Sequence, residues 1–151
     1  FWFTGQPHAG KTTLAKHLKS VLSLKFPSKP VYLVDGDDLR RIINNKDYSE
    51  QGRRNNINQA IAIAKYLDDV GNDVIVSLVS PYKDLRDELK ASTNAIEIYI
   101  HTTEIRGREA FHVADYQPPT EDYIDIDTID VDEITALNEL LNQIEKLLKN
   151  E

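Results

Sequence analysis

The chain has 151 residues, of which 40% are hydrophobic and 28% charged, with a net charge of -7 and no cysteine. That length fits one domain over residues 1–151 with a sizeable core, and a cysteine-free chain has no disulfides, thiolate metal sites or cysteine nucleophiles. An acidic surface argues against a nucleic-acid partner, no apolar run nears the roughly 20 residues of a membrane span, and with no signal peptide visible the expected location is cytoplasmic.

Phe1-Trp2-Phe3-Thr4 is a short aromatic run ahead of Gly5 and reads as the end of a buried strand. From Lys11 to about Phe26, Leu14, Leu18, Val21 and Leu22 recur at helical spacing until Pro27 stops them. Val31 to Val34 is a second β-rich run and Asp37 to about Asn45 a short helix. Ser49 to Asp69 is a long helix carrying Ile57, Ala60, Ile61, Ala64 and Leu67, ended by Gly71. Asp73 to Val79 is a third buried strand, Lys83 to about Ala91 a charged surface helix, and Ala95 to His101 a fourth strand on alternating Ile96, Ile98 and Ile100. Thr102 to Glu121 has no clear period and contains Pro118-Pro119, so it is expected as loop. Tyr123 to Asp127 is a strand candidate, and Glu133 to Lys149 an amphipathic helix on Ile134, Leu137, Leu140, Leu141, Ile144 and Leu148. The sustained alternation implies an α/β fold of three layers, a mostly parallel sheet with helices on both faces, whose ligands bind at the carboxyl ends of the strands.

Gly5-Gln6-Pro7-His8-Ala9-Gly10-Lys11-Thr12 fits G-x-x-x-x-G-K-[ST] between a strand and a helix. Glycines at both ends let the backbone curl with its N–H groups inward, and the helix behind adds its positive end. Such a nest holds phosphate oxygens, so these residues and Thr13 are expected to bind ATP. Lys11, expected to face solvent, would reach the β- and γ-phosphates, and the Thr12 hydroxyl would ligate Mg²⁺. Within the loop His8 reads first as a solvent-facing filler, and Thr13 first as a helix N-terminal residue.

Asp35-Gly36-Asp37-Asp38-Leu39-Arg40 follows the second strand and so emerges at the same sheet end. Phosphoryl transfer needs positioning and charge compensation, and Asp35 is the carboxylate chosen to face Mg²⁺ or to accept the proton of the acceptor hydroxyl. Asp37 or Asp38 suits a helix N-cap. Arg53 and Asn56, spaced i and i+3, share one face of the long helix near its N-terminal end and can grip an anionic nucleotide. From spacing alone, Arg40, Arg53 and Asn56 equally fit solvated helix surface.

These segments resemble motifs of the adenylylsulfate kinase family of P-loop kinases. Asp35 through Arg40 is similar to the family's Asp-Gly-Asp-Asn-x-Arg, and Tyr48 through Ile57 to its Phe-Ser-x-x-Asp-Arg-x-Glu-Asn-Ile. Val79-Ser80-Pro81-Tyr82 resembles Ile-Ser-Pro-Tyr, and Phe111, Asp115, Tyr116, Pro118, Pro119 and Ile126-Asp127-Thr128 resemble a late stretch of the family. The resemblance implies a P-loop kinase fold, ATP and Mg²⁺ as cofactors, and adenosine 5'-phosphosulfate (APS) as a small-molecule substrate phosphorylated on its 3'-hydroxyl. It also implies a homodimer. Lys11 and Asp35 become the catalytic pair, Thr12 and Asp35 the metal-side residues, and Asp35, Asp37, Arg40, Arg53, Asn56 and Ser80 the substrate site. Arg108 is expected to stack on adenine.

The family's Asp-Arg pair is here Gly52-Arg53, its Glu-Asn is Asn55-Asn56, and the spacing from Arg40 to Arg53 is one residue short. Arg108-Glu109 leads almost directly to Phe111, where the family inserts a basic lid, so the resemblance implies a shortened lid and slower transfer or ATP hydrolysis. Two other readings stand beside it: a P-loop kinase for another small hydroxyl acceptor such as a nucleoside, sugar or antibiotic, and a nucleotide-binding domain without turnover.

Overall fold

The computed structural model describes residues 1–104, 106–107 and 109–150. In chain order these form β1 (Trp2–Thr4), α1 (Lys11–Lys25), β2 (Val31–Asp35), α2 (Gly36–Ile43), α3 (Glu50–Asp69), β3 (Asp73–Ser77), α4 (Lys83–Ser92), β4 (Glu97–His101), β5 (Tyr123–Asp127) and α5 (Glu133–Lys149), with a short 3₁₀ turn at Glu109–Phe111. Among the described residues the strands make one sheet in the order β2-β3-β1-β4-β5, and every pairing is parallel. The sheet is thus wholly rather than mostly parallel, and β1 lies at its centre.

Strand residues alternate between two cores because successive side chains leave opposite faces. Phe3, Ile75, Ile98, Ile100, Ile124 and Ile126 point to the face covered by α1 and α5, where they meet Leu14, Ala15, Leu18, Ala136, Leu140 and Ile144. Trp2, Val76 and Leu78 belong to the other face, against Leu39, Ile57, Ala60, Leu85 and Leu89 of α2, α3 and α4. Helices on both faces of a parallel sheet give the three layers expected. Two ends of the expected α5 stripe are corrected: Ile134 and Leu148 lie exposed, because the helix touches the sheet along Ala136, Leu140 and Ile144 and tails off at both termini.

β3 ends at Ser77, two residues before the expected Val79, because the chain must turn there to reach Ser80. Ser80 adopts a left-handed φ of 46°. Such backbone costs about 1–3 kcal/mol for a non-glycine residue and persists only where neighbours over-determine it. Here Trp2 Nε1 donates to Ser80 Oγ at 3.2 Å, and both Thr4 Oγ1 (3.2 Å) and Arg86 (2.5 Å) donate to its carbonyl.

α4 is the surface helix expected from its charges, with Asp84 and Glu88 exposed, but Arg86 turns inward with Leu85 and Leu89. Arg86 is 1% exposed and donates through Nε to Glu97 Oε1 at 2.6 Å on β4, while its remaining nitrogens bond the carbonyls of Ser80 and Gln117. Lys90 Nζ lies 2.5 Å from Glu97 Oε2, although at an angle too poor for a hydrogen bond, so that contact is an ion pair alone. Guanidinium survives burial because its planar fork satisfies three acceptors at once.

Removing Arg86 leaves the buried Glu97 with Lys90 alone and deprives the Ser80 and Gln117 carbonyls of their charged donor. Arg86→Leu is therefore expected to lower the unfolding free energy by about 3–5 kcal/mol, read as a lower urea midpoint, and Arg86→Leu/Glu97→Leu to recover part of that loss.

Candidate active site

The carboxyl ends of β1, β2 and β3 open into one cleft of about 1240 Å³. Its nucleotide half is the loop between β1 and α1. Gly5 has φ +149° and any Cβ there would sit 2.1 Å from the Ile100 carbonyl oxygen; Gly10 has φ +107° and precedes α1 as an N-cap that makes no side-chain bond. The first N–H groups of α1 therefore lack a side-chain cap, the arrangement that receives an anion at a helix N-terminus.

Lys11 does not face solvent. It is 8% exposed and its Nζ donates to the Gln6 carbonyl at 2.8 Å. Burial lowers its pKa from 10.5 to about 8, partly opposed by the charges of Asp37 and Asp35. The sequence motif fixed its direction of reach but not how deeply the loop would wrap it.

Asp35, and neither Asp37 nor Asp38, is the N-cap of α2. Its Oδ1 accepts from Asp37 N (3.0 Å) and Asp38 N (3.2 Å) because the helix starts at Gly36, one residue earlier than expected. Its Oδ2 accepts from Thr12 Oγ1 at 3.3 Å. That distance is long for a hydroxyl donor, so both oxygens can turn to a cation. A hydroxyl and a carboxylate oxygen form the hard-donor set that suits Mg²⁺, which takes one or two protein oxygens and completes its shell with water and phosphate.

Across the cleft, the residues expected to bind acceptor are brought together but differ in how free they are. Arg40 donates to the Asn45 carbonyl and Oδ1 (both 3.2 Å) and the Asp47 carbonyl (2.9 Å), and stacks 4.2 Å from the Tyr48 ring. Arg53 lies 3.6 Å from Asp115 Oδ1. Asn56 is 4% exposed and its Oδ1 has no protein partner, as is true of Ser77 Oγ; both residues line the cleft. Asp37 is exposed on the cleft wall, and the Ser80 hydroxyl is already taken by Trp2.

The family model described as adenylylsulphate kinase matches residues 1–111. This chain belongs to the adenylylsulfate kinase family. It is 32% identical over 95% of its length to an adenylyl-sulfate kinase of Pseudomonas aeruginosa, covering 84% of that protein. It is 38% identical over 66% of its length to the cytidine diphosphoramidate kinase of Campylobacter jejuni, covering 58% of it. Several of the curated relatives it matches are spanned over less than two thirds of their own length, down to 16%. The fold is that of an APS kinase of Mycobacterium tuberculosis solved in complex with AMPPNP and APS, with a TM-score of 0.80 at 23% identity and 95% of each chain covered.

The site explains where this family member departs from the motifs it resembles. At Gly52, where the resembled motif has aspartate, a Cβ would lie 2.2 Å from the Asp47 carbonyl oxygen and 2.4 Å from its Cγ. The turn between α2 and α3 is folded against the start of α3, with Asn45 Nδ2 donating to the Gly52 carbonyl at 3.0 Å, so a spacing one residue short leaves room for glycine alone. Arg108 lies outside the described residues. Arg106, which the sequence reading passed over, lines the cleft and donates to the carbonyls of His8 (3.2 Å), Ala9 (3.4 Å) and Thr128 (2.9 Å). The Arg-Gly-Arg run offers two candidates, and their order along the chain does not separate them. Thr128, matched to the family's late stretch but given no role there, donates through Oγ1 to the Ala9 carbonyl at 2.8 Å, and the Gln6 side chain turns to Val113, which no sequence signal indicated.

The burial of Lys11 has a measurable consequence. A lysine whose folded pKa is depressed holds fewer protons than the unfolded chain between the two values, so stability rises with pH across that interval. Unfolding free energy is expected to climb between pH 8 and 10.5 by about 3 kcal/mol, the energy of the shift, and Lys11→Met to flatten this rise while raising stability at neutral pH. Urea titrations of both proteins across that range decide it; a rise of equal size in Lys11→Met would assign it to other groups.

Proposed function

We propose that this chain transfers the γ-phosphoryl group of ATP to the 3'-hydroxyl of APS, giving ADP and 3'-phosphoadenosine 5'-phosphosulfate. Membership of the adenylylsulfate kinase family supports this reading, and the position of Asp35 is the observation that carries it. One carboxylate stands at the junction of the two halves of the cleft, fixed through Oδ1 by α2 and turned through Oδ2 toward Thr12 on the phosphate loop.

In this mechanism the loop backbone from Gly5 to Thr13 holds the triphosphate of ATP, with Arg106 and Thr128 backing its far side. Lys11 leaves the Gln6 carbonyl for the β- and γ-phosphates, where an anion restores its proton affinity and its charge follows the migrating group. Thr12 and Asp35 would hold Mg²⁺, which neutralises charge on the phosphates. Asp35 also orients the 3'-hydroxyl and takes its proton as the new O–P bond forms and the bond to the leaving ADP breaks. Arg40, Arg53, Asn56 and Asp37 fix the acceptor, the guanidinium groups meeting its anionic phosphosulfate with directional hydrogen bonds. The orphaned Asn56 Oδ1 supports this placement, since a buried acceptor of this kind is normally satisfied.

A second acceptor is cytidine diphosphoramidate, the substrate in the name of the Campylobacter jejuni relative. It too is a nucleoside 5'-phosphoanhydride, and one observation favours it. Asp115, an exposed carboxylate, stands 3.6 Å from the cleft residue Arg53; a carboxylate there can accept from a phosphoramidate N–H, whereas a sulfate offers it no proton.

The two are separated by following ADP release with each acceptor and isolating the 3'-phosphorylated product. APS is expected to be turned over with the higher kcat/KM, and a reversal would give the site to the diphosphoramidate. Asp35→Asn keeps an effective N-cap for α2 but loses the proton acceptor, so kcat is expected to fall by about 10²–10⁴ with nucleotide affinity changed far less. Unchanged kcat with weakened ATP binding would remove Asp35 from the chemistry.

A further inference from the structure

The segment that follows the 3₁₀ turn, residues 112–117, comes just after the point where the family inserts its lid, and it is bolted down. Val113 is buried. The Gln6 side chain closes a reciprocal pair with its backbone: Nε2 donates to the Val113 carbonyl and Oε1 accepts from the Val113 N–H, both at 2.8 Å. Three residues on, the Tyr116 and Thr4 hydroxyls share a hydrogen bond of 2.8 Å. Gln117 is held by the Pro81 carbonyl (2.9 Å), the Lys83 N–H (2.8 Å) and Arg86 (2.5 Å). Asp115 lies between these two anchorages, and it is the residue that holds Arg53.

We infer that Gln6 is a positioning residue for the acceptor, acting through Val113 and Asp115 on the Arg53 guanidinium. The motif places Gln6 in the phosphate loop, and its backbone serves there: its carbonyl receives Lys11 Nζ. Its side chain does different work. An amide presents one donor and one acceptor in a plane and can replace a strand edge, which no apolar side chain at this position can do. Without it the N-terminal part of the segment keeps only the burial of Val113 and a 3.3 Å bond from the Tyr116 N–H to the Val113 carbonyl, and Asp115 can carry Arg53 out of register with an anionic acceptor. A charged hydrogen bond loses strength steeply with misalignment. The Gln6 amide thus makes this segment a fixed part of the cleft wall.

The acceptor arm of the test rests on the function proposed above; the structural arm does not. Gln6→Leu, which keeps the bulk of the side chain, and Gln6→Glu, which keeps the acceptor for the Val113 N–H but not the donor, are compared with the unaltered protein. Amide hydrogen exchange at Val113 is expected to quicken about tenfold or more in Gln6→Leu, the effect of losing a bond of about 1.4 kcal/mol, and less in Gln6→Glu. Acceptor KM, measured with whichever of APS and cytidine diphosphoramidate is turned over, is expected to rise about three- to tenfold in Gln6→Leu, by a larger factor than ATP KM, which the loop that carries Gln6 also governs. Unchanged Val113 exchange overturns the clasp. Faster exchange with unchanged acceptor KM, or with ATP KM rising equally, overturns the positioning role. If the unaltered protein turns over neither acceptor, the proposed function fails and the affinity of Gln6→Leu for inorganic sulfate, with the phosphate loop filled by ADP, decides the positioning role, a loss relative to the unaltered protein supporting it and no loss overturning it.

Discussion

Everything chemical in this molecule depends on β1 lying at the centre of an all-parallel sheet. A central strand has neighbours on both sides, so its continuation cannot spread sideways and must turn up into the space above the sheet edge. Gly5 makes that turn pressed against the Ile100 carbonyl, where no side chain fits. Because all strands run the same way, β2 delivers Asp35 and β3 delivers Ser77 to the same edge, in register with one another. The cleft is the consequence of strand direction before it is the consequence of any residue in it.

Two cationic side chains among the described residues, Arg86 and Lys11, are buried by opposite means, and the contrast marks what each is for. Arg86 is surrounded by acceptors: a carboxylate and two carbonyls meet its nitrogens, and through them it ties α4, β4, the Ser80 turn and Gln117 together. Lys11 has one carbonyl and a burial that pushes its pKa down. An incompletely compensated ammonium at the mouth of an open helix N-terminus is a place where an anion gains the most, because binding relieves a cost the fold already carries. Structural charge is satisfied in advance; ligand-binding charge is left short.

The same division runs through the acceptor side. Arg40 is consumed by Asn45 and Asp47 and stacked on Tyr48, so it shapes the turn ahead of α3 as much as it offers charge. Arg53 is tied more loosely, 3.6 Å from an exposed carboxylate, and is the guanidinium that a ligand can recruit at least expense. The short wall of residues 112–117 then decides where that guanidinium sits, through contacts that join the phosphate loop to the opposite side of the cleft.

The strand-loop-helix pattern around Gly5 to Thr12, the alternation of Ile96, Ile98 and Ile100, and the run of α and β segments determined the layers, the phosphate-binding loop and family membership from sequence alone, because each is a local signal of period, turn chemistry or motif. The sequence also determined that Asp35 would lie near that loop, since parallel strands place their following residues at one edge, whereas Arg53 and Asn56 inside α3 were expected there only by resemblance to the family. What it left to the tertiary structure were matters of partner and depth. Whether Asp35 or Asp37 capped α2 depended on a helix starting one residue early, and whether Lys11 was exposed depended on how the loop wrapped it. That Arg86 of a charged helix was interior depended on Glu97, a strand away. Gln6 meets Val113 across 107 positions of chain, and no period or spacing encodes such a contact: it exists because the folded sheet brings two distant backbones within reach of one amide.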